Sequence, residues 1–156
     1  MAVFFTRGDL FLSGAHTIAH GVNCAGKMGA GIAREFKRRY PQMFDEYRRR
    51  CSSGELRPGG YFLDKTTEPW VLNLATQDTT HGAALEHVRS CLEDFARYYS
   101  QEGIKSLAIP KIAAGLGGLD WNMIRDLIER VLGPLPLAVY VYEDYAQGLK
   151  GQEPPL

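Results

Sequence analysis

The chain is 156 residues long, with 18 lysines and arginines balanced by 18 aspartates and glutamates, and with 45% apolar, 11% aromatic and 23% charged residues. That balance excludes disorder and a collagen-like repeat, and the length suits one domain with one substantial core. The longest clearly apolar runs, such as Leu137 to Tyr142, fall far short of the ~18–20 residues of a membrane-spanning helix, so no membrane partner is expected.

The elements alternate in type along the chain. Val3 to Thr6 and Thr17 to Val22 read as short strands separated by the turn-like Leu12, Ser13 and Gly14. A helix is predicted from Gly29 or Ala30, with Ile32, Phe36 and Tyr40 recurring at i, i+4 and i+8 until Pro41 interrupts it, and Gln42 to Cys51 makes a second short helix. Gly59 and Gly60 mark a turn before the strands Tyr61 to Asp64 and Trp70 to Ala75. The clearest helix lies between Ala83 and Gln101, where Leu85, Val88, Leu92, Phe95 and Tyr99 form one apolar stripe and Gly103 suits the C-terminal end. Leu107 to Ile109 reads as a short buried strand. Asp120 caps a helix whose Trp121, Ile124, Leu127, Ile128 and Val131 face inward, and Gly133 and Pro134 stop it. Leu137 to Tyr142 is the last strand. The pattern predicts a single α/β domain over residues 1–146, with a flexible C-terminal tail at 147–156.

The opening residues, MAVFFTRGDLF, lack the basic start, long apolar stretch and small-residue cleavage site of a secretory signal. Cys24, Cys51 and Cys91 form no CxxC pair, and their odd number fits a reducing compartment. A cytoplasmic location is therefore the expectation. His16, His20, His81 and His87 include one i,i+4 pair, but it falls in a loop-to-strand stretch, so neither a zinc site nor a cofactor is expected. Charge is unevenly spread: between Lys27 and Arg57 nine Lys/Arg stand against four Asp/Glu, a local net of +5. Such a segment is either a phosphate-attracting surface or the solvated face of helices.

Six of the 17 glycines sit in two stretches, Gly26, Gly29 and Gly31 in GKMGAGIA and Gly115, Gly117 and Gly118 in AAGLGGLDW. Each stretch follows a predicted strand and opens a predicted helix, where backbone N–H groups, the helix dipole and missing side chains admit a phosphate. Two such loops at strand ends point to a bound phosphate compound. Gly21 to Met28 has the spacing of a nucleotide-binding P-loop except that Met28 replaces the Ser/Thr that would hold magnesium, which argues against an NTPase. Gly29 to Arg34 lacks the third glycine of the dinucleotide fingerprint, and no acidic residue ends a strand ~20 residues on, which argues against a nicotinamide dehydrogenase.

The strings GDLF (Gly8 to Phe11), AHGVNCAGKMGAGIAREFKRRYP (Ala19 to Pro41), LNLATQ (Leu72 to Gln77) and IPKIAAGLGGLDW (Ile109 to Trp121) together closely resemble the macrodomain family. Within it the chain is similar to the branch that holds the terminal ADP-ribose protein glycohydrolases and the antitoxins that remove ADP-ribose from DNA. The resemblance runs from about Phe4 to Tyr142, with all blocks in order. It implies a three-layer α/β/α macrodomain with a mixed central sheet, and ADP-ribose as ligand. In those roles Asp9 would accept a hydrogen bond from the adenine amino group, with the Leu10 amide beside it, and Tyr142 would wall the adenine. Gly29, Ala30, Gly31 and Ile32, with Gly26 and Met28 before them, would face the diphosphate and distal ribose from one side. Ala114, Gly115, Leu116, Gly117 and Gly118 would face them from the other. Asn23 would bond the distal ribose, unless its carboxamide ties down the loop backbone instead. Lys111 would either complement phosphate charge or simply be a solvated strand-end lysine.

Two departures from the branch carry weight. Its protein glycohydrolases use a lysine after the fourth strand and an aspartate in the second glycine loop; these positions align with Gln77, or Thr76 if a gap is moved, and with Gly117. A glutamine forms no Schiff base, so a covalent lysine route is closed. Asp120 is the nearest carboxylate, with a competing role as helix cap. The expected activity is hydrolysis of mono-ADP-ribose from a modified protein, ester-linked to acidic side chains, by a monomer that holds a water with Asn23, Gln77 and Asp120 as candidate catalytic groups. Alternatives are a non-catalytic ADP-ribose reader, an enzyme acting on ADP-ribose phosphate or acyl derivatives, and an eraser of ADP-ribose from DNA.

Overall fold

The computed structural model describes residues 3–79 and 82–156. Six strands form one sheet: β1 (Val3–Gly8), β2 (Thr17–Val22), β3 (Tyr61–Asp64), β4 (Trp70–Ala75), β5 (Ser106–Pro110) and β6 (Ala138–Tyr145). Their spatial order is β1-β6-β5-β2-β4-β3, parallel throughout except that β3 runs antiparallel to β4. The four helices are α1 (Gly31–Arg39), α2 (Pro41–Ser53), α3 (Leu85–Glu102) and α4 (Trp121–Leu132).

Both sheet faces are buried, as a largely parallel sheet requires, and alternation along each strand decides which residue meets which layer. Leu107, Ile109, Val139 and Val141 point to the layer of α3 and α4, where they meet Val88, Leu92, Phe95, Ile124 and Ile128. Ala108, Ala138, Tyr140 and Tyr142 point the other way, into the layer of α1 and α2 with Phe36, Met43, Phe44 and Tyr47. The expected three-layer α/β/α arrangement with a mixed central sheet is present. Among the described residues no helix is long and apolar enough to cross a membrane.

Proline 41 does more than end α1. It occupies the first turn of α2, where its missing N–H would be unpaired in any case. A single 3-10 turn, Leu10–Leu12, was not foreseen; Asp9 caps it through its side chain. Strand β6 runs three residues beyond the predicted Tyr142, and its register against β1 slips between Thr6 and Arg7. The C-terminal segment, expected to hang free over 147–156, is laid back along β1 and β6. Gln152 N donates to Thr6 Oγ1 at 2.9 Å, Asp9 N to Leu149 O at 2.6 Å, and Tyr140 OH to Pro154 O at 2.6 Å. Glu153 is the anchor, taking Ser13 Oγ at 2.5 Å, Tyr142 OH at 2.6 Å and Gly14 N at 2.9 Å. Composition sees polar and proline residues there, not partners some 140 positions away.

Candidate functional site

Strand β2 lies between β4 and β5, so the chain builds to one side of it and then crosses to the other. Such a point leaves a crevice beyond the carboxyl ends of the strands. A cleft of about 530 Å³ opens there, within the roughly 300–1,000 Å³ of small-molecule sites. Gly21, Val22 and Thr76 form its floor, Gly29 to Ala33 one wall, Ala113 and Gly115 to Gly117 the other, and Tyr142, Glu143 and Tyr145 its far end.

The first wall is organised by one carboxamide. Asn23 Nδ2 donates to Lys27 O at 2.8 Å, and its Oδ1 accepts from Ala25 N at 3.0 Å and Lys27 N at 3.3 Å. From α2 the fully buried Tyr47 points its hydroxyl at Asn23 O (2.7 Å) and Asn23 Oδ1 (2.8 Å). Burial pushes the Tyr47 phenol well above its usual range, so it stays a donor. Burial also pushes the Cys24 thiol up to about 12 and raises Cys51, so neither supplies a thiolate near neutrality. Beyond this loop α1 begins at Gly31, in the left-handed region at φ 61°, and its cap residue Ala30 offers no side-chain acceptor. The first N–H groups of α1 are thus left for a ligand in the adjoining cleft.

The second wall is a backbone construction. Ala113 adopts φ 64°, rare for a residue with a side chain, and Gly118 φ 79°. Gly117 O accepts from Ala83 N at 2.9 Å, and Leu119 N donates to Ala113 O at 3.0 Å. A Cβ on Gly117 would lie 2.5 Å from Ala113 O, so no side chain enters at that position without moving the loop. The two walls nearly meet at the mouth, where a Cβ on Gly31 would lie 3.6 Å from Leu116 Cδ1.

Of the candidate catalytic groups, Asn23 and Gln77 line the cleft. Asp120 does not: it is exposed and caps α4, accepting from Asn122 N at 3.0 Å, so its helix-capping role prevails. Asp9, expected to accept from the adenine, is absent from the cleft lining but sits beside Tyr145 at the far end of the cleft. The residue is 4% exposed, and its Oδ1 accepts from Phe11 N at 2.9 Å and its Oδ2 from Gly148 N at 3.0 Å, each oxygen keeping a second lone pair. Leu10 and Met28 put their side chains into the core between the sheet and α1 and α2. Gly26 packs against Arg48 and Cys51, and Ala114 and Gly118 shape the second loop without lining the cleft. Gly29, Ala30, Gly31, Ile32, Gly115, Leu116 and Gly117 do line it, as does Tyr142, whose hydroxyl is held by Glu153.

Sequence reasoning missed Lys27, Glu143 and Tyr145 as lining residues, named Thr76 only as an alternative to Gln77 and left Lys111 undecided; all five line the cleft. Glu143 and Tyr145 lie beyond the predicted end of the last strand, so their alternation was never counted. Glu143 is already engaged, accepting from Trp121 Nε1 at 2.9 Å with Arg125 Nη1 at 3.5 Å. No group of acidic, histidine or cysteine residues suited to a metal ion occurs among the described residues.

Residues 19–128 match the model of the macro domain family. The chain belongs to that family. A DNA ADP-ribosyl glycohydrolase of Mycobacterium tuberculosis is 32% identical over 139 residues, covering 86% of this chain and 40% of that protein. This macrodomain therefore spans about 40% of the length of the DNA ADP-ribosyl glycohydrolases it matches. The human ADP-ribose glycohydrolase OARD1 is 26% identical over 145 residues, with 90% of each chain covered. The structure of Thermosipho africanus DarTG in complex with ADP-ribose superimposes with a TM-score of 0.86 at 28% identity, covering 94% of this macrodomain and 42% of that chain.

Proposed function

We propose that this macrodomain binds ADP-ribose in the cleft and hydrolyses mono-ADP-ribose from modified protein, with esters of acidic side chains as its substrates. The glycine walls and the open N-terminus of α1 suit a diphosphate, Lys27 and Lys111 supply complementary charge, and Tyr145, half exposed at the far end, offers a ring to the adenine. A relative solved with ADP-ribose supports the same ligand.

The linkage is carried by one observation. Among the described residues the cleft holds no histidine and one carboxylate, Glu143, which Trp121 and Arg125 already engage. With no carboxylic acid or imidazole free among the described cleft residues, a leaving group that departs unprotonated suits the site best. A carboxylate, with a conjugate-acid pKa of about 4, does so readily, whereas a serine alkoxide does not. In the reaction, water bonds to the anomeric carbon as its bond to the ester oxygen breaks. The carboxylate leaves as an anion and the proton passes to solvent. Gln77 holds the water, and Asn23, whose carboxamide is tied into its own loop, fixes the wall against which the ribose sits.

The test sets glutamate-linked, serine-linked and DNA-linked ADP-ribose side by side, with calorimetry of free ADP-ribose. The expected result is binding, release from the glutamate ester alone, and no covalent adduct on borohydride treatment. Binding with no release above the spontaneous rate would make the protein a reader. Preferential release from DNA would overturn the ester reading, and no binding at millimolar ADP-ribose would overturn the whole of it.

A further inference from the structure

Much of the surplus positive charge in residues 27–57 is neutralised where it stands. Glu35 pairs with Arg38 and Arg39, Glu46 with Arg49 and Arg50, and Glu55 with Arg49. Arg34, Lys37 and Arg48 are exposed and have no ion pair among the described residues. All three line a second groove, between α1 and α2, in which Asp45 is the one carboxylate among the described residues. Phe44 holds two of them in place: Lys37 Nζ lies 4.4 Å and Arg48 Cζ 5.6 Å from its ring centroid. The groove starts at Gly29, which also lines the cleft, so the two adjoin.

We propose that this groove docks the acidic stretch of polypeptide flanking an ADP-ribosylated glutamate or aspartate. The inference rests on the reading of the cleft as an ADP-ribosyl ester hydrolase and extends it to the protein part of the substrate. An extended segment advances ~3.3 Å per residue, so two acidic neighbours of the modified residue span the single turn of α1 that separates Arg34 from Lys37. Unpaired cations beside the catalytic cleft complement those carboxylates. A nucleic acid fits less well. Grooves for single strands join cations to open aromatic rings on which bases stack, whereas Phe44 is 7% exposed and has cations against it.

The test uses two glutamate-linked ADP-ribosyl peptides that differ only in their flanks, Glu/Asp in one and Gln/Asn in the other. At low salt kcat/KM should favour the acidic peptide by about five- to tenfold, as a few exposed charge pairs allow, and ~0.5 M salt should erase the preference. Lys37→Glu and Arg34→Glu should each erase it as well, while free ADP-ribose binds both variants as it binds the wild type. Anisotropy of a labelled, unmodified acidic peptide reads the groove without any turnover: salt-sensitive binding, lost in Lys37→Glu, is expected. Equal kcat/KM for the two peptides, or no peptide binding, overturns the groove. An oligonucleotide that outcompetes the acidic peptide, and loses that ability in Lys37→Glu, assigns the groove to nucleic acid instead. Failure of free ADP-ribose to bind the wild type overturns the cleft reading and leaves the anisotropy result to decide the groove.

Discussion

Across the cleft, the loop of residues 23–30 is folded around side chains, whereas the loop of residues 113–118 is folded by its own backbone. In the first, one carboxamide and one phenol tie together Asn23, Ala25 and Lys27. In the second, left-handed dihedrals at Ala113 and Gly118 and a carbonyl bond from Gly117 to Ala83 set the path. A loop of the first kind can be weakened one hydrogen bond at a time, because a side chain can be trimmed without touching the backbone. The second loop has no such intermediate setting at Gly117, where an added side chain displaces the chain itself.

The harshest test of this contrast is Gly117→Asp, which installs the acid that the macrodomain resemblance implies at this position. Its Cβ would meet Ala113 O at 2.5 Å, so the loop must shift. The expected outcome is a stability loss of about 2–3 kcal/mol and ADP-ribose affinity down by about tenfold or more, with no gain in turnover. Melting curves and calorimetry check it. A variant with native stability and faster release would show that the backbone loop is adjustable after all.

Acid should act on the core beneath the loops rather than on either loop. His20 on β2 is fully buried, stacked 3.8 Å from Phe36, and its Nε2 meets Asn73 Oδ1 at 2.7 Å while its Nδ1 has no partner among the described residues. Desolvation lowers its pKa from 6.5 to about 4. The unfolded chain therefore takes the proton first, so the stability it contributes is fully present above pH 6.5 and is lost as the pH falls towards about 4. A gap of this size corresponds to roughly 3 kcal/mol. Urea unfolding at pH 7.5 and 4.5 measures it, and His20→Gln should flatten the slope. Equal loss of stability in that variant would place the acid-sensitive group elsewhere.

Next in size is the side-chain loop. Asn23→Ala removes the hub of four hydrogen bonds and should cost about 2 kcal/mol of stability and about tenfold in turnover. Tyr47→Phe removes one donor and should cost about 1 kcal/mol and a few-fold in turnover. Since Tyr47 acts through Asn23, the double variant should be little worse than Asn23→Ala alone. Additive losses would mean that the phenol serves the fold by another route.

How much of this was legible in the sequence follows the same division. The strands and helices were readable because Ile32, Phe36 and Tyr40, or Leu85, Val88 and Leu92, repeat with the period of the element they form. The glycine loops were readable because a missing side chain is itself a signal. The far end of the cleft was not. Tyr145 lies beyond a register slip in β6, and the burial of Asp9 depends on Gly148, whose N–H reaches its Oδ2 from 139 residues away. Local pattern carries no information about a tail that returns to cover an early strand. Asn23 sat between the two cases: a polar residue at a strand end was visible, but only the positions of Ala25, Lys27 and Tyr47 decide whether its carboxamide faces a ligand or its own loop.

Asp120 gives the smallest expected effect and the sharpest control, because it stands just past the second loop as a carboxylate that sequence alone nominates for catalysis. In the structure its side chain accepts from Asn122 N at 3.0 Å and the residue is absent from the cleft lining. Asp120→Ala should therefore cost about 1 kcal/mol of stability through the lost helix cap and leave release from a glutamate ester within about twofold of wild type, since no transition-state contact is removed. Asp120→Asn, which caps nearly as well, should recover the stability and remain equally active. The pair separates capping from chemistry: a catalytic carboxylate would lose turnover in both variants, whatever the melting temperature does. Turnover lost in Asp120→Asn with native stability and intact ADP-ribose binding would return Asp120 to the reaction, and would mean that the second loop swings far enough in the substrate complex to bring the start of α4 into the cleft.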